Sequence, residues 1–334
     1  MKAAVLGGGS WGPTFAQVLC DAGTPVMLYC REPELAEQIN TSHASTRYLP
    51  GVTLPASLRA TAEPAVALAD ADLVVLAIPA QSLRQNLEQW REHLPADAVI
   101  LSLIKGIELG TGDRMSQVIA EVTGAGPDRI AVVSGPNIAP EIAVRQYSAT
   151  VVACADESVA ERLQAASHTA YFRPYTNADV IGCELGGSVK NVIALAVGIA
   201  AGMGLGDNTR AMLITRGLAE IARLGAALGA DQHTFSGLAG LGDLVVSCSS
   251  PMARNRSFGE KLGRGMSLPE VIASTTQTVE GVKSAESVRE LARKHGVEMP
   301  ITEVIAAVMH DGLEIGEAVG QLASRSAKPE RYGV

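Results

Sequence analysis

Two lysines, one aspartate and an Arg-Asn pair are the residues of this chain whose types suit proton transfer beside a bound anion. Lys190 follows Glu184-Leu185-Gly186-Gly187-Ser188-Val189 and enters the most apolar helical stretch beside Asn191. A lysine held in apolar surroundings loses hydration, which lowers its pKa toward the range useful for general acid–base work. The structural alternative is a lysine snorkelling from a helix end to solvent. Lys105, in Ser102-Leu103-Ile104-Lys105-Gly106, closes a strand where a cation suits an anion or a carbonyl, unless it is simply a solvated loop lysine. Gly240-Leu241-Gly242-Asp243 offers a carboxylate that can orient an ammonium or a hydroxyl. Arg254-Asn255-Arg256 follows, where the planar guanidinium fork binds phosphate and the amide adds a donor. Alone, such a triplet reads as a solvated helix face. Gly135-Pro136-Asn137 ends another strand and can bring backbone N–H groups and one amide to the same ligand, or be merely a turn. The six histidines have no ligand spacing, so no metal centre is expected.

The elements that must position these groups begin at the N-terminus. Lys2 to Leu6 is a short apolar run of buried-strand type, Gly7, Gly9 and Gly12 form G-x-G-x-x-G around Ser10 and Trp11, and Thr14 to Ala22 reads as a helix closed by Gly23. Strand, glycine turn and helix in that order are the context of a dinucleotide fingerprint: Gly7 for the tight turn, Gly9 for approach of the pyrophosphate, Gly12 for helix–strand packing. Pro13 is tolerated because first-turn N–H groups have no helical partner. A second strand, Pro25 to Cys30, ends in Arg31, about twenty residues past the glycines, where an acidic residue would hold a ribose 2′-hydroxyl. Arg31 leans toward a 2′-phosphate and NADPH, while Glu32 beside it leaves NADH open.

Up to about residue 175, apolar runs alternate with helical ones: Leu73–Ile78, Ala98–Leu103, Ile130–Val133 and Ala149–Ala153, with helical segments such as Ser82–His93 and Asp113–Thr123. This predicts an α/β Rossmann-type domain over residues 1–177, its parallel-rich sheet covered on both faces. Past Asn177 the pattern is helical, with a helix opening at Asp207 or Asn208 and closed by Gly229, and a capping box Ser267-Leu268-Pro269-Glu270. Residues 178–334 are thus expected to form an all-α substrate domain. At 334 residues, two domains are the natural division. The net charge of −8, from 27 basic and 35 acidic residues, argues against a nucleic-acid partner, so a phosphorylated ligand must meet a local cation cluster. Five scattered cysteines without C-x-x-C read as reduced, buried residues, which together with the absent export signal points to the cytoplasm. Val192 to Gly206, fifteen Gly- and Ala-rich residues, falls short of the roughly twenty of a spanning helix, so no stable membrane insertion is expected.

Ordered blocks run through nearly the whole chain: Gly7 to Gly12, Arg47-Tyr48-Leu49-Pro50-Gly51, Lys105-Gly106, Ser134-Gly135-Pro136, Glu184 to Asn191, Ile214-Thr215-Arg216-Gly217, Gly237 to Asp243, Arg254-Asn255-Arg256 and Val279-Glu280-Gly281. In register they resemble the NAD(P)-dependent glycerol-3-phosphate dehydrogenase family of bacterial type. The resemblance implies reversible reduction of dihydroxyacetone phosphate to sn-glycerol 3-phosphate by NADH or NADPH, supplying the backbone of glycerolipids, in a cytoplasmic protein that is often a homodimer. It implies Lys190 as proton donor and acceptor. Lys105, Gly135, Asn137, Asp243, Ala253, Arg254 and Asn255 fall at its substrate positions. Ser10, Trp11, Arg31, Lys105, Ala139, Arg254, Val279 and Glu280 would face the cofactor with the glycines.

Where the family usually has a small hydroxyl residue, an aromatic, Thr and Ser, this chain has Asn137, Ile138, Ser247 and Ala253. Losing one hydroxyl to a charged phosphate costs on the order of 1.5–3 kcal/mol unless Asn137 compensates. Three rival readings remain at this level. A β-hydroxyacid dehydrogenase resembles this plan but places an Asn four residues after its helix lysine, where this chain has Ala194. A sugar-nucleotide dehydrogenase needs an activated cysteine, and neither Cys183 nor Cys248 stands in an activating setting. A cofactor-binding sensor without turnover has no use for the lysine and cation cluster.

Overall fold

Alternate residues of the short apolar strands feed opposite cores. Val5, Leu73, Val75, Leu101 and Val133 pack in one cluster, while Leu6, Val74, Leu76 and Ile100 pack in another. A strand buried on both faces reads as a continuous apolar run for this reason. In the computed structural model, which describes residues 1–275, 279–327 and 329–330, the strands are β1 (Ala3–Leu6), β2 (Val26–Tyr29), β3 (Arg59–Thr61), β4 (Leu73–Leu76), β5 (Val99–Ser102), β6 (Ile130–Ser134), β7 (Ser148–Cys154) and β8 (Phe172–Asn177). They form one sheet in the order β3-β2-β1-β4-β5-β6-β7-β8. Ala3 of β1 pairs with both Val26 and Leu73, so the strand order reverses between β1 and β4, the switch point where dinucleotides bind in such sheets.

Two features depart from a simple parallel reading. β6 and β7 are antiparallel, with Val133 opposite Val152, so the last two strands run against the rest. Their connection carries only the five-residue helix Ala139–Ala143, which returns the chain beside β6 without a full crossover. The edge strands β3 and β8 lack an apolar pattern: β3 has three residues, and β8 carries Pro174 opposite Thr150, where a missing N–H is tolerated at an edge.

The chain divides into two units, one comprising Met1–Ile104 and Met115–Val180, the other Lys105–Arg114 and the chain from Ile181 onward. The expected single cut after residue 177 therefore needs correction. The excursion Lys105–Arg114 belongs to the helical unit because Ile107 is fully buried in the helical core and both of its ends are ion-paired there.

That core is built on the 23-residue helix Val180–Gly202. Its Gly- and Ala-rich composition has a steric reason. A Cβ at Gly198 would stand 2.1 Å from the Arg256 carbonyl oxygen and one at Gly202 2.2 Å from that of Glu260. Reciprocally, a Cβ at Gly259 or Gly263 would meet the carbonyl oxygens of Leu195 and Ile199. This helix and Arg254–Gly263 thus touch backbone to backbone. By length and composition Val180–Gly202 could cross a membrane, so the expected length argument fails; 89% of its most apolar window is instead buried in protein. Asp207–Ala227 and the capping box of Leu268–Ala273 form as the sequence predicts.

Candidate active site

Lys190 lies in the Val180–Gly202 helix with its side chain only 9% exposed. Its neighbour Gly186, four residues earlier, admits another backbone: a Cβ there would be 2.3 Å from the Ala239 carbonyl oxygen. The π-helical turn Leu238–Gly242 can therefore lie directly on the lysine helix, and it leads into the helix Asp243–Ser249. Asp243 and Ser247, one turn apart, share a face of that helix. Lys190 Nζ donates to Asp243 Oδ1 at 2.5 Å and to Ser247 Oγ at 2.6 Å. Lys105 Nζ donates to the other carboxylate oxygen, Asp243 Oδ2, at 2.6 Å. Three sequence-predicted residues from distant segments thus form one cluster inside the helical unit.

Two ammonium groups against one carboxylate leave the cluster with surplus positive charge, suited to an anion. Burial lowers the pKa of Lys105 to about 8, with Asp243 opposing the shift and Lys190 adding to it. Cys248 lies within electrostatic reach of Lys190 and Asp243, yet burial pushes its thiol up to about 12. Such a thiol is protonated at neutral pH, which counts against Cys248 as the nucleophile of a sugar-nucleotide dehydrogenase.

The Arg254–Gly263 helix carries the second group of predicted residues. Asn255 Nδ2 donates to Asn191 Oδ1 at 2.9 Å, and Asn255 Oδ1 accepts from the Gly281 backbone N–H at 2.9 Å. A Cβ at Gly281 would come within 2.6 Å of Asn255 Oδ1, so glycine is required there. Because the Gly281 N–H can only donate, the amide of Asn255 is oriented with its oxygen committed and its nitrogen toward the lysine helix. This ties Lys190-Asn191, Arg254-Asn255 and Val279-Glu280-Gly281 together. Arg254 is exposed and within electrostatic reach of Glu280. Arg256 pairs with Glu260 one turn on at 3.2 Å, the helix-face role. Ala253 occupies the N-cap with no side-chain cap bond.

The remaining predicted residues lie in the first unit. Gly7 has φ +135°, and its Cβ would stand 2.3 Å from the Ala77 carbonyl oxygen; one at Gly12 would stand 1.9 Å from that of Gly7. Gly9 faces open space, Ser10 is the N-cap, and the helix begins at Trp11, three residues before the periodicity predicts. Open backbone at the end of β1 before a helix N-terminus fits a dinucleotide pyrophosphate. Trp11 packs edge-on against Phe15 with ring centroids 5.7 Å apart. Arg31 is exposed just past β2, while Glu32 is engaged by Arg47 at 3.4 Å. Gly135 has φ +141° at the end of β6, and Ala139 begins its short helix beside Thr14. Asn137 Nδ2 donates to Thr150 Oγ1 at 2.9 Å, and Asn137 Oδ1 is buried without a partner among the described residues. Among those residues no group of three His, Cys, Asp or Glu is placed to hold a metal ion.

The ordered motifs and the lysine–aspartate cluster invite comparison with known proteins. The family pattern described as "NAD-dependent glycerol-3-phosphate dehydrogenase N-terminus" matches residues 2–160, and its C-terminal counterpart matches residues 179–320. The chain belongs to this family. It is 64% identical over 331 residues to a glycerol-3-phosphate dehydrogenase [NAD(P)+] of Streptomyces griseus, covering 99% of this chain and 98% of that one. A protein of the same description from Thermobifida fusca is 62% identical over 334 residues, covering 100% and 99%. Among solved structures, the glycerol-3-phosphate dehydrogenase of Coxiella burnetii superposes with a TM-score of 0.92 at 36% identity, over 97% of this chain and 99% of that one. Family membership makes the chain an NAD(P)-dependent oxidoreductase and disfavours the β-hydroxyacid dehydrogenase and sensor readings.

Some members of the site escaped the sequence reading. Ser247 was noted only as a departure from the family; its i+4 spacing from Asp243 was the available signal. Asn191 and Gly281 stood inside recognised blocks, but their joint hold on Asn255 spans 64 and 26 residues and leaves no local trace.

Proposed function

We propose that this chain interconverts dihydroxyacetone phosphate and sn-glycerol 3-phosphate with NADH or NADPH, with Lys190 as the proton donor and acceptor. The observation that carries the reading is the Lys190–Asp243–Lys105 cluster in a chain of this family. When bound, the nicotinamide supplies or accepts the hydride. Asp243 and Ser247 hold the Lys190 ammonium by two of its hydrogens, leaving one to bond the substrate's carbonyl oxygen. As hydride reaches the carbon, negative charge grows on that oxygen, which the ammonium first stabilises and then protonates. In the reverse direction the neutral amine removes the hydroxyl proton. Lys105, Arg254 and Asn255 hold the phosphate as cation, guanidinium fork and amide donor, so its binding energy fixes the reacting carbon in place. The family resemblance assigns Gly135, Asn137 and Ala253 to the substrate. It further assigns Gly7, Gly9, Ser10, Trp11, Gly12, Arg31, Lys105, Ala139, Arg254, Val279 and Glu280 to the cofactor.

Loss of absorbance at the reduced-nicotinamide band, with purified protein and dihydroxyacetone phosphate, tests the reading. Oxidation that disappears in Lys190→Ala supports it; no oxidation with either cofactor, despite cofactor binding, overturns it.

We also read the chain as a cytoplasmic homodimer. That reading rests on the family resemblance, and light scattering at micromolar concentration tests the self-association.

A further inference from the structure

The excursion Lys105–Arg114 is a small hairpin fixed to the helical unit at three points. At its start Lys105 is bonded to Asp243. Two residues on, Ile107 is fully buried in the helical core. At its end the Arg114 guanidinium pairs with the Glu184 carboxylate, their side chains 15% and 3% exposed. Ile107 and Arg114 face one another in an antiparallel bridge, and Glu108 N–H donates to the Asp113 carbonyl at 2.9 Å. Gly110 and Gly112, both at positive φ, close the turn between them. Glu184 lies in the same helix as Lys190, six residues earlier, so the end of the hairpin is tied to that helix directly and its start through Asp243, which Lys190 also bonds.

We propose that Arg114 is a positioning residue for the reaction: its pair with Glu184 clamps the hairpin so that Lys105 is held on Asp243 beside Lys190. The physical reason is entropic. Lys105 reaches its carboxylate from a ten-residue loop, and a long flexible side chain on a mobile loop would trade that buried contact for water. A largely buried, charge-assisted pair of guanidinium and carboxylate anchors the end of the hairpin, and the antiparallel bridge carries that anchoring across to Ile107, two residues from Lys105. The charged groups facing Lys105 are Asp243 and Lys190, and Glu184 faces Arg114, so a shift of the hairpin changes the surroundings of Lys105 without removing any of them.

This rests on the reading that Lys105 holds the substrate. The test compares Arg114→Met and Lys105→Met with the unaltered enzyme by steady-state kinetics over pH 6 to 10, with NADH affinity and thermal unfolding as controls. Expected for Arg114→Met is a KM for dihydroxyacetone phosphate raised roughly tenfold or more, with kcat changed less, from misplacement of a contact group. The alkaline limb of kcat/KM should also move up toward the ordinary lysine value, which a merely structural loss would not produce. Should Arg114→Met not fold, Arg114→Lys keeps a cation without the fork and should shift both quantities in the same direction by less. An unchanged KM and limb in the Arg114 variants, with KM raised in Lys105→Met, overturns the clamp alone. An unchanged KM in Lys105→Met overturns the role of Lys105 and the clamp with it.

Discussion

Lys190 Nζ stands 2.5 Å from Asp243 Oδ1, although 53 positions separate the two residues in the chain. The carboxylate is 1% exposed and also accepts from Lys105, so a single buried anion organises both ammonium groups. Removing it would strand two buried cations. Asp243→Ala should therefore lower stability by about 3–5 kcal/mol, read by denaturant unfolding. Lys190→Met removes one cation and keeps the stem; it should cost about 10²–10⁴ in kcat, the usual range for a general acid–base, while NADH titration still shows binding.

The pH profile follows from Lys105. The residue is useful to a phosphate as a cation, and its pKa is lowered by burial to about 8. The protonated fraction is complete below that value and is lost as pH rises through it. Hence kcat/KM for dihydroxyacetone phosphate should be level near neutrality and fall above about pH 8. Lys105→Arg, which stays protonated, should lift that limb by more than a unit.

Ala253 is the N-cap of Arg254–Gly263 and offers no side-chain acceptor to the first-turn N–H groups. Ala253→Ser should stabilise the protein by roughly 0.5–2 kcal/mol, seen as a raised melting temperature. If the position also touches phosphate, KM should fall about tenfold, the worth of one hydrogen bond to a charged group. A raised melting temperature with unchanged KM would confine Ala253 to helix capping.

Gly198 has no room for a methyl group, because the Arg256 carbonyl oxygen would be 2.1 Å away. Gly198→Ala must push the two helices apart, at about 1–3 kcal/mol for overpacking. Since the displaced helix carries Arg254 and Asn255, KM for the phosphorylated substrate should rise with it. Gly320→Ala, inside the helix Ile315–Ala323 where nothing lies within 4 Å of the added methyl, is the control and should leave KM unchanged with no loss of stability.

Arg31 is exposed past β2 while the adjacent Glu32 is engaged by Arg47. Arg31→Asp should weaken NADPH selectively, measured as the ratio of the two cofactors' KM values. Equal weakening of both would refute a role in reading the 2′-phosphate.

The glycine turn, the apolar strands and the helical second half were legible in the sequence because each is written in local spacing. Gly7, Gly9 and Gly12 lie within six residues, and a strand buried on both faces, or a capping box, is a contiguous pattern. Residue types likewise identified Lys105, Lys190, Asp243 and the Arg254-Asn255 pair as candidates, and the family resemblance placed them in one site. What no local pattern carries is a pairing across the fold. The reversal of β7 depends on how a short connection packs, and the transfer of Lys105–Arg114 to the helical unit depends on Ile107 and two distant carboxylates. The backbone contact between Gly198 and Arg256, and the hold of Asn191 and Gly281 on Asn255, arise only when two helices meet. The chain by itself determined which groups were available and which elements would carry them. Only the tertiary structure decided which of those groups share a carboxylate, because a hydrogen bond is set by distance in space and is blind to separation along the chain.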